Sequence, residues 1–300
     1  MKLKIWTALL LVYVIWGSTY LGIRYAVETI PPFLMAGTRF LVAGTVFYIW
    51  RRSVGDPAPT RGQWLRAAIV GTLLLVGGNG LVSFAEKNVA SGVAALIVGS
   101  APLWMTALEA LRPGGARPNW LGILGLLIGF AGIVLLVGPS IFGGNQTNSH
   151  PAGIIILLFA ALFWSMGSIY SRSADLPSSS LLSTSMEMLA GGIGLYLTGT
   201  FTGEWGQLVL ANVTPRSWLG LIFLTIFGSM VGFTAYAWLM RNASVSLAAT
   251  YAYVNPLIAI LLGGLLAQEA LNMHILLAAL VIIGSVVLIN ASPRIKTKTR

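Results

Sequence analysis

Polar and charged residues are spaced along this chain so that they leave ten long apolar stretches between them, at about 5–24, 33–51, 66–86, 89–111, 119–138, 152–172, 179–200, 217–240, 244–267 and 273–291. An amphipathic soluble helix shows an apolar stripe every 3.6 residues, and a half-buried strand alternates polar with apolar. These stretches do neither: they are apolar on every face. Each is close to the roughly 20 residues that carry a helix across a bilayer core, whereas a spanning strand needs only about 10. The pattern predicts an all-α integral membrane protein with ten transmembrane helices.

Composition agrees. With 56% hydrophobic and 9% charged residues the surface of such a chain could not be solvated in water. The first stretch has Lys2 and Lys4 ahead of an apolar run, as a secretory leader would. That run continues through "LLLVYVIWGSTYLGI" without a small-residue cleavage pattern, which predicts a retained helix.

The net charge of +10 raises the question of nucleic acid, and the placement of the basic residues answers it. With ten crossings, one side of the membrane receives fourteen of the eighteen Lys and Arg, among them Lys2, Lys4, Arg51, Arg52, Arg172 and the tail residues Arg294 to Arg300. The other side receives Arg24, Lys87 and Arg216, and Arg39 lies within a helix. The positive-inside rule then places both termini in the cytoplasm and makes the charge a feature of topology, with no nucleic-acid partner expected. Cysteine is absent, which excludes disulfides and thiolate metal sites and is compatible with a bacterial inner membrane.

The chain also repeats itself. "WGSTYLGIR" at Trp16–Arg24 returns as "WSMGSIYSR" at Trp164–Arg172, an offset of 148 that also carries Arg39 onto Glu187 and Gly44 onto Gly192. An offset of 154 carries "KNVASGVAAL" at Lys87 onto "RNASVSLAAT" at Arg241 and Pro102 onto Pro256, and an offset of 152 carries "GIVLLV" at Gly132 onto "GSVVLI" at Gly284. Each half therefore supplies five helices in the same order. Five is odd, so the second copy enters the membrane from the opposite side, giving two inverted five-helix repeats. The expected division is a first repeat over 1–141, a linker over 142–151, a second repeat over 152–291 and a basic tail over 292–300.

Two five-helix halves, the "WGSTY" of helix 1, the "RF" at Arg39 and the Pro-Leu pairs of helices 4 and 9 resemble the EamA family of the drug/metabolite transporter superfamily. "NGLVSFAE" and "ATYAYVNPL" point to a bacterial subgroup of it. The resemblance covers nearly the whole chain. It implies a central cavity, helices 5 and 10 at the periphery, and export or exchange of a small-molecule substrate by alternating access.

Arg39 in helix 2 and Glu187 in helix 7 are the two charges well inside the stretches, and they occupy equivalent repeat positions. A bare charge at mid-helix costs about 2.5 to 3.5 kcal/mol, so both must face protein or water. One reading makes Glu187 a proton-coupling carboxylate or a substrate anchor; the other makes the two residues structural, bonded to each other or to neighbouring carbonyls. Candidate cavity-lining residues are Trp16, Tyr20, Asn79, Trp164, Ser168, Tyr170, Tyr236, Tyr251 and Asn255, with interhelical packing as the alternative. Pro102 and Pro256 each free a backbone carbonyl and are candidate helix breaks. Glu28, Glu86, Lys87 and Glu269 fall at helix ends and are expected to be solvated interfacial charges, with an outer gate as the alternative. Helix 5 carries Gly122, Gly125, Gly129 and Gly132, which fit packing within the chain or between chains and leave the oligomeric state open.

His150 and His274 are too few and too far apart for a metal site or a triad. "GGNG" at 77–80 lies inside an apolar helix and lacks the Lys-Ser or Lys-Thr of a nucleotide loop. No cofactor is expected and no enzyme chemistry is legible. An intramembrane enzyme would need a nucleophile with its base or a carboxylate cluster at one depth; a non-transporting scaffold is the remaining alternative.

Overall fold

The computed structural model of the protein describes residues 2–111, 118–141, 150–243, 250–269 and 272–291, so most of the expected linker, the basic tail and the first part of the ninth stretch lie outside the described residues. Among the described residues the secondary structure is helical throughout. The helices are α1 (Lys2–Ala26), α2 (Pro32–Ser53), α3 (Arg61–Ala85), α4 (Ser91–Leu111), α5 (Trp120–Ile141), α6 (Pro151–Ser173), α7 (Ser180–Phe201), α8 (215–242), α9 (Tyr251–Leu266) and α10 (Met273–Ala291). Six helical spans, in α1, α2, α3, α4, α6 and α8, are long and apolar enough to cross a membrane, and shorter apolar spans lie in α5, α9 and α10.

Local sequence sets the helix starts. Pro32, Pro151 and Pro215 stand in the first turn, where a missing N–H costs nothing. Thr60 and Gln63 form a reciprocal capping box at α3, and the Ser179 and Thr214 side chains cap α7 and α8. Two further caps come from distant sequence. Glu204 accepts from the backbone N–H of Phe33 and Leu34 at 3.3 and 3.0 Å, and Glu269 accepts from those of Ser91 and Gly92 at 2.8 and 3.1 Å. Each carboxylate meets the positive end of a helix and satisfies orphan donors.

Two helices are underwound at corresponding places. α3 contains a π-helical stretch over Thr72–Gly80, and α8 contains one over Leu224–Val231 that begins 152 residues later. Single π turns mark functional places in helices because they displace carbonyls from the regular ladder. α4 is interrupted at Ser100, between Ser91–Gly99 and Ala101–Leu111, one residue before the start of the segment that holds Pro102. α9, by contrast, runs through Pro256 without a break, because the proline sits only six residues into the helix and the turn before it supplies few bonds to lose.

The packing is paired. α2 lies along α7 and α5 along α10; α1 packs on α9 as α6 packs on α4; α1 packs on α8 as α6 packs on α3. With helices five apart in order taken as equivalents, every one of these contacts has its counterpart. Close approach needs small residues. A Cβ at Gly71 of α3 would come within 2.4 Å of the Glu187 carbonyl of α7. On α5, a Cβ at Gly125, Gly129 or Gly132 would meet Ile289, Leu103 or Ile282, which fits the glycine stripe to packing inside the chain, largely against α10. Leu127 of α5 and Leu280 of α10 are exposed, as a lipid-facing periphery requires.

Candidate functional site

The paired helices enclose a cavity of about 710 Å³. Of the thirteen residues singled out from sequence as lining, charge or helix-break candidates, twelve border it: Trp16, Tyr20 and Arg39 from α1 and α2, Asn79 and Pro102 from α3 and α4, Trp164, Ser168 and Glu187 from α6 and α7, Tyr236 from α8, and Tyr251, Asn255 and Pro256 from α9; Tyr170 of α6 is not among its lining residues.

One wall is aromatic. The Trp16 ring lies 5.3 Å from Phe233, 5.1 Å from Tyr236 and 5.2 Å from Tyr251, and the two tyrosine rings lie 5.7 Å apart and nearly perpendicular. Edge-to-face contacts of this kind hold rings in fixed orientations. The indole N–H of Trp16 donates to the Gly228 carbonyl at 3.1 Å, within the π stretch of α8. That bond pins the cluster to the irregular backbone. Across the cavity the repeat partner Trp164 packs on Gly78, in the π stretch of α3, where a Cβ would sit 3.1 Å from the indole.

The polar groups are less free than their sequence positions suggest. Ser168 donates to the Trp164 carbonyl of its own helix at 2.7 Å. Asn255 is buried between the carbonyls of Tyr13 and Tyr251, and with its amide nitrogen turned toward them it donates at 3.3 and 3.2 Å. Both side chains therefore brace helices as well as line the cavity.

Arg39 and Glu187 border the same space without joining: no ion pair links them among the described residues. Arg39 is 3% exposed, donates from Nε to the Ser229 hydroxyl at 2.8 Å and stands 4.4 Å from the centre of the Phe40 ring. One terminal nitrogen of its guanidinium has no hydrogen-bond partner. Glu187 accepts a single bond from Ser183, one turn earlier on α7, at 3.2 Å.

At one end the cavity reaches Arg172, which is exposed, and Ser171 and Ser180 beside it. At the other its lining is Tyr20 with the buried Ile23 and Val82. Past that floor, Arg24 donates to the carbonyls of Glu86 and Lys87 at 2.6 and 3.1 Å, and the Tyr25 hydroxyl donates to the Leu266 carbonyl at 2.9 Å.

The expectation of solvated charges at this end holds for Lys87, which is exposed, and for Glu28, which pairs loosely with Arg216 at 3.3 Å. It fails for Glu86. That residue is 0% exposed and neither carboxylate oxygen has a partner, because α1, carrying Arg24, covers it and spends the guanidinium on backbone carbonyls. Sequence reasoning also missed Ser180 and Thr184, which line the cavity seven and three residues before Glu187. Helical spacing from Glu187 was the available signal. From sequence Arg172 has a place in the repeated phrase and in the topology charge, and none in a cavity.

A helical fold with spans fit for a bilayer and a central cavity with one aromatic wall defines a membrane protein that handles small solutes inside the bilayer. The profile of the EamA-like transporter family matches residues 3–138 and 151–291, and the chain belongs to that family. It is 39% identical over 288 residues to the inner membrane transporter YedA of Escherichia coli (strain K12), across 96% of this chain and 90% of that one. It is also 24% identical to the transporter YvbV of Bacillus subtilis (strain 168), across 96% and 92%, and 28% identical to the protein PagO of Salmonella typhimurium, across 92% and 89%. A solved crystal structure shares the fold with a TM-score of 0.63 over 96% of each chain at 23% identity. The protein is a membrane transporter.

Proposed function

We propose that the protein is a secondary transporter that moves a small metabolite, such as an amino acid or amine, across the bacterial inner membrane by alternating access, as an exporter or exchanger. The observation that carries this is the cavity, which lies between repeat-equivalent helices and whose lining is exposed at Arg172 and buried at Ile23 and Val82. Ten membrane crossings in two inverted repeats, 1–141 and 152–291, with both termini cytoplasmic, account for the positive-inside count and for the π stretches 152 residues apart. The open end at Arg172 then faces the cytoplasm.

In this reading the aromatic wall binds the apolar or cationic part of the solute and the unpartnered Arg39 nitrogen offers it a donor. Glu187 is the coupling carboxylate, held by one bond and free to exchange a proton with the cavity. The test is counterflow in reconstituted liposomes with amino acids, amines and aromatic metabolites, with and without a pH gradient. Flux of one solute class, absent from empty liposomes, supports the proposal; failure of every class to move would turn attention to an intramembrane enzyme or a scaffold.

A further inference from the structure

The sequence repeat pairs Arg24 with Arg172, and the structure treats them oppositely. Arg24, at the last turn of α1, is half-buried and ties α1 to the end of α3 through the carbonyls of Glu86 and Lys87. Arg172, at the last turn of α6, is exposed on the open rim of the cavity and makes no hydrogen bond or ion pair among the described residues.

The acceptors repeat as well. The offset that carries Lys87 onto Arg241 carries positions 86 and 87 onto 240 and 241, in the last turn of α8. The side chains differ there, glutamate against methionine. The acceptors of Arg24 are carbonyls, which every residue has, and the end of a helix presents them unpaired at the negative pole of its dipole. The pairing therefore survives the divergence of the two halves, and Tyr236, one turn before position 240, already shares the cavity rim with Arg172.

We propose that Arg24 and Arg172 are exchanging latches of the transport cycle. Arg24 closes the far side by bonding the end of α3 while Arg172 hangs open. When the cavity opens to the far side, Arg24 lets go and Arg172 closes the near side by bonding the end of α8. Each arginine holds shut the side on which its own helix ends. The inference rests on the alternating-access reading above and assigns both residues as positioning residues with no contact to the solute.

The absence of cysteine makes the test direct. A single Val82→Cys, buried at the closed floor, and a single Ser180→Cys, at the open rim, report the two sides through their labelling rates with a membrane-impermeant thiol reagent. Losing a charge-assisted bond shifts a two-state equilibrium by about tenfold. Arg24→Gln is expected to speed Val82→Cys labelling by about that factor and to slow Ser180→Cys labelling. Arg172→Gln is expected to do the reverse, and the double variant to return both rates toward the parent. Arg24→Lys, which keeps a donor, should fall between. Rates that move in the same direction in both variants, or do not move, overturn the latch. Labelling needs no substrate, so reciprocal shifts without flux of any solute would uphold the latch and count against the transport reading.

Discussion

Arg39 and Glu187 stand at matching positions 148 residues apart and border one cavity, yet each is held by a serine: Arg39 by Ser229 at 2.8 Å, Glu187 by Ser183 at 3.2 Å. Their separate partners leave both groups on the cavity wall, where the proposed function puts a solute, or a proton on Glu187.

The Ser229 bond is the hydrogen bond that Arg39 makes among the described residues. Ser229→Ala is expected to destabilise the protein by about 1.5 to 3 kcal/mol, the usual cost of losing a hydrogen bond to a charged group. Thermal or denaturant unfolding in detergent measures it. Combined with Arg39→Met the two costs should fall short of their sum, since both remove the same bond.

Glu187→Gln keeps the size of the side chain and its bond from Ser183 while removing the titratable group. Gradient-driven flux is expected to lose its dependence on pH, while exchange without a gradient persists. Gradient-driven flux equal to that of the parent, from a folded variant, would make the carboxylate dispensable.

Asp56 and Glu204 also stand 148 residues apart, each just after one helix and bonded at the start of that helix's repeat partner: Glu204 caps α2, and Asp56 hydrogen-bonds Ser179, the residue that caps α7. Bonds from Arg51 first, and from Ser179, hold the Asp56 carboxyl down at about 2 from the usual 3.8. A depressed carboxyl stabilises the fold above its unfolded value, and that contribution disappears as pH falls from about 4 through about 2. Asp56→Asn should therefore be less stable than the parent at neutral pH and converge on it near pH 2, as read by unfolding in detergent. Burial raises the Glu204 carboxyl, partly offset by the Leu34 and Phe33 N–H groups. Glu204→Ala should cost about 1 to 2 kcal/mol as a lost cap, with Gln restoring part of it.

Gly71 is where α3 touches the backbone of Glu187, and a methyl there meets the carbonyl at 2.4 Å. Gly71→Ala is expected to cost about 1 to 3 kcal/mol and to disturb flux through the displaced Glu187. Gly206→Ala, whose added methyl meets nothing within 4 Å, should stay within about 0.5 kcal/mol of the parent. Equal behaviour of the two would remove the close α3 to α7 contact from the account.

Helix positions were legible because lipid imposes a length and a lack of polarity that the sequence displays directly. The cavity candidates were legible because the repeat singled out Trp16 with Trp164 and Arg39 with Glu187. The π stretches were not, since glycines such as Gly77, Gly78 and Gly228 permit an extra residue per turn without announcing it. Glu86 was misread because nothing in a sequence tells an exposed helix end from one roofed by another helix. Asp56 and Glu204 are within reach of sequence, since the offset that matches Arg39 to Glu187 matches them too.

The central claim, that solute passes through this cavity, is tested by placing one cysteine at Thr184, on the cavity wall, and attaching a bulky thiol reagent during counterflow of the solute found to move. Modification is expected to abolish flux, and the solute to slow the modification. Undiminished flux through fully modified protein would contradict it.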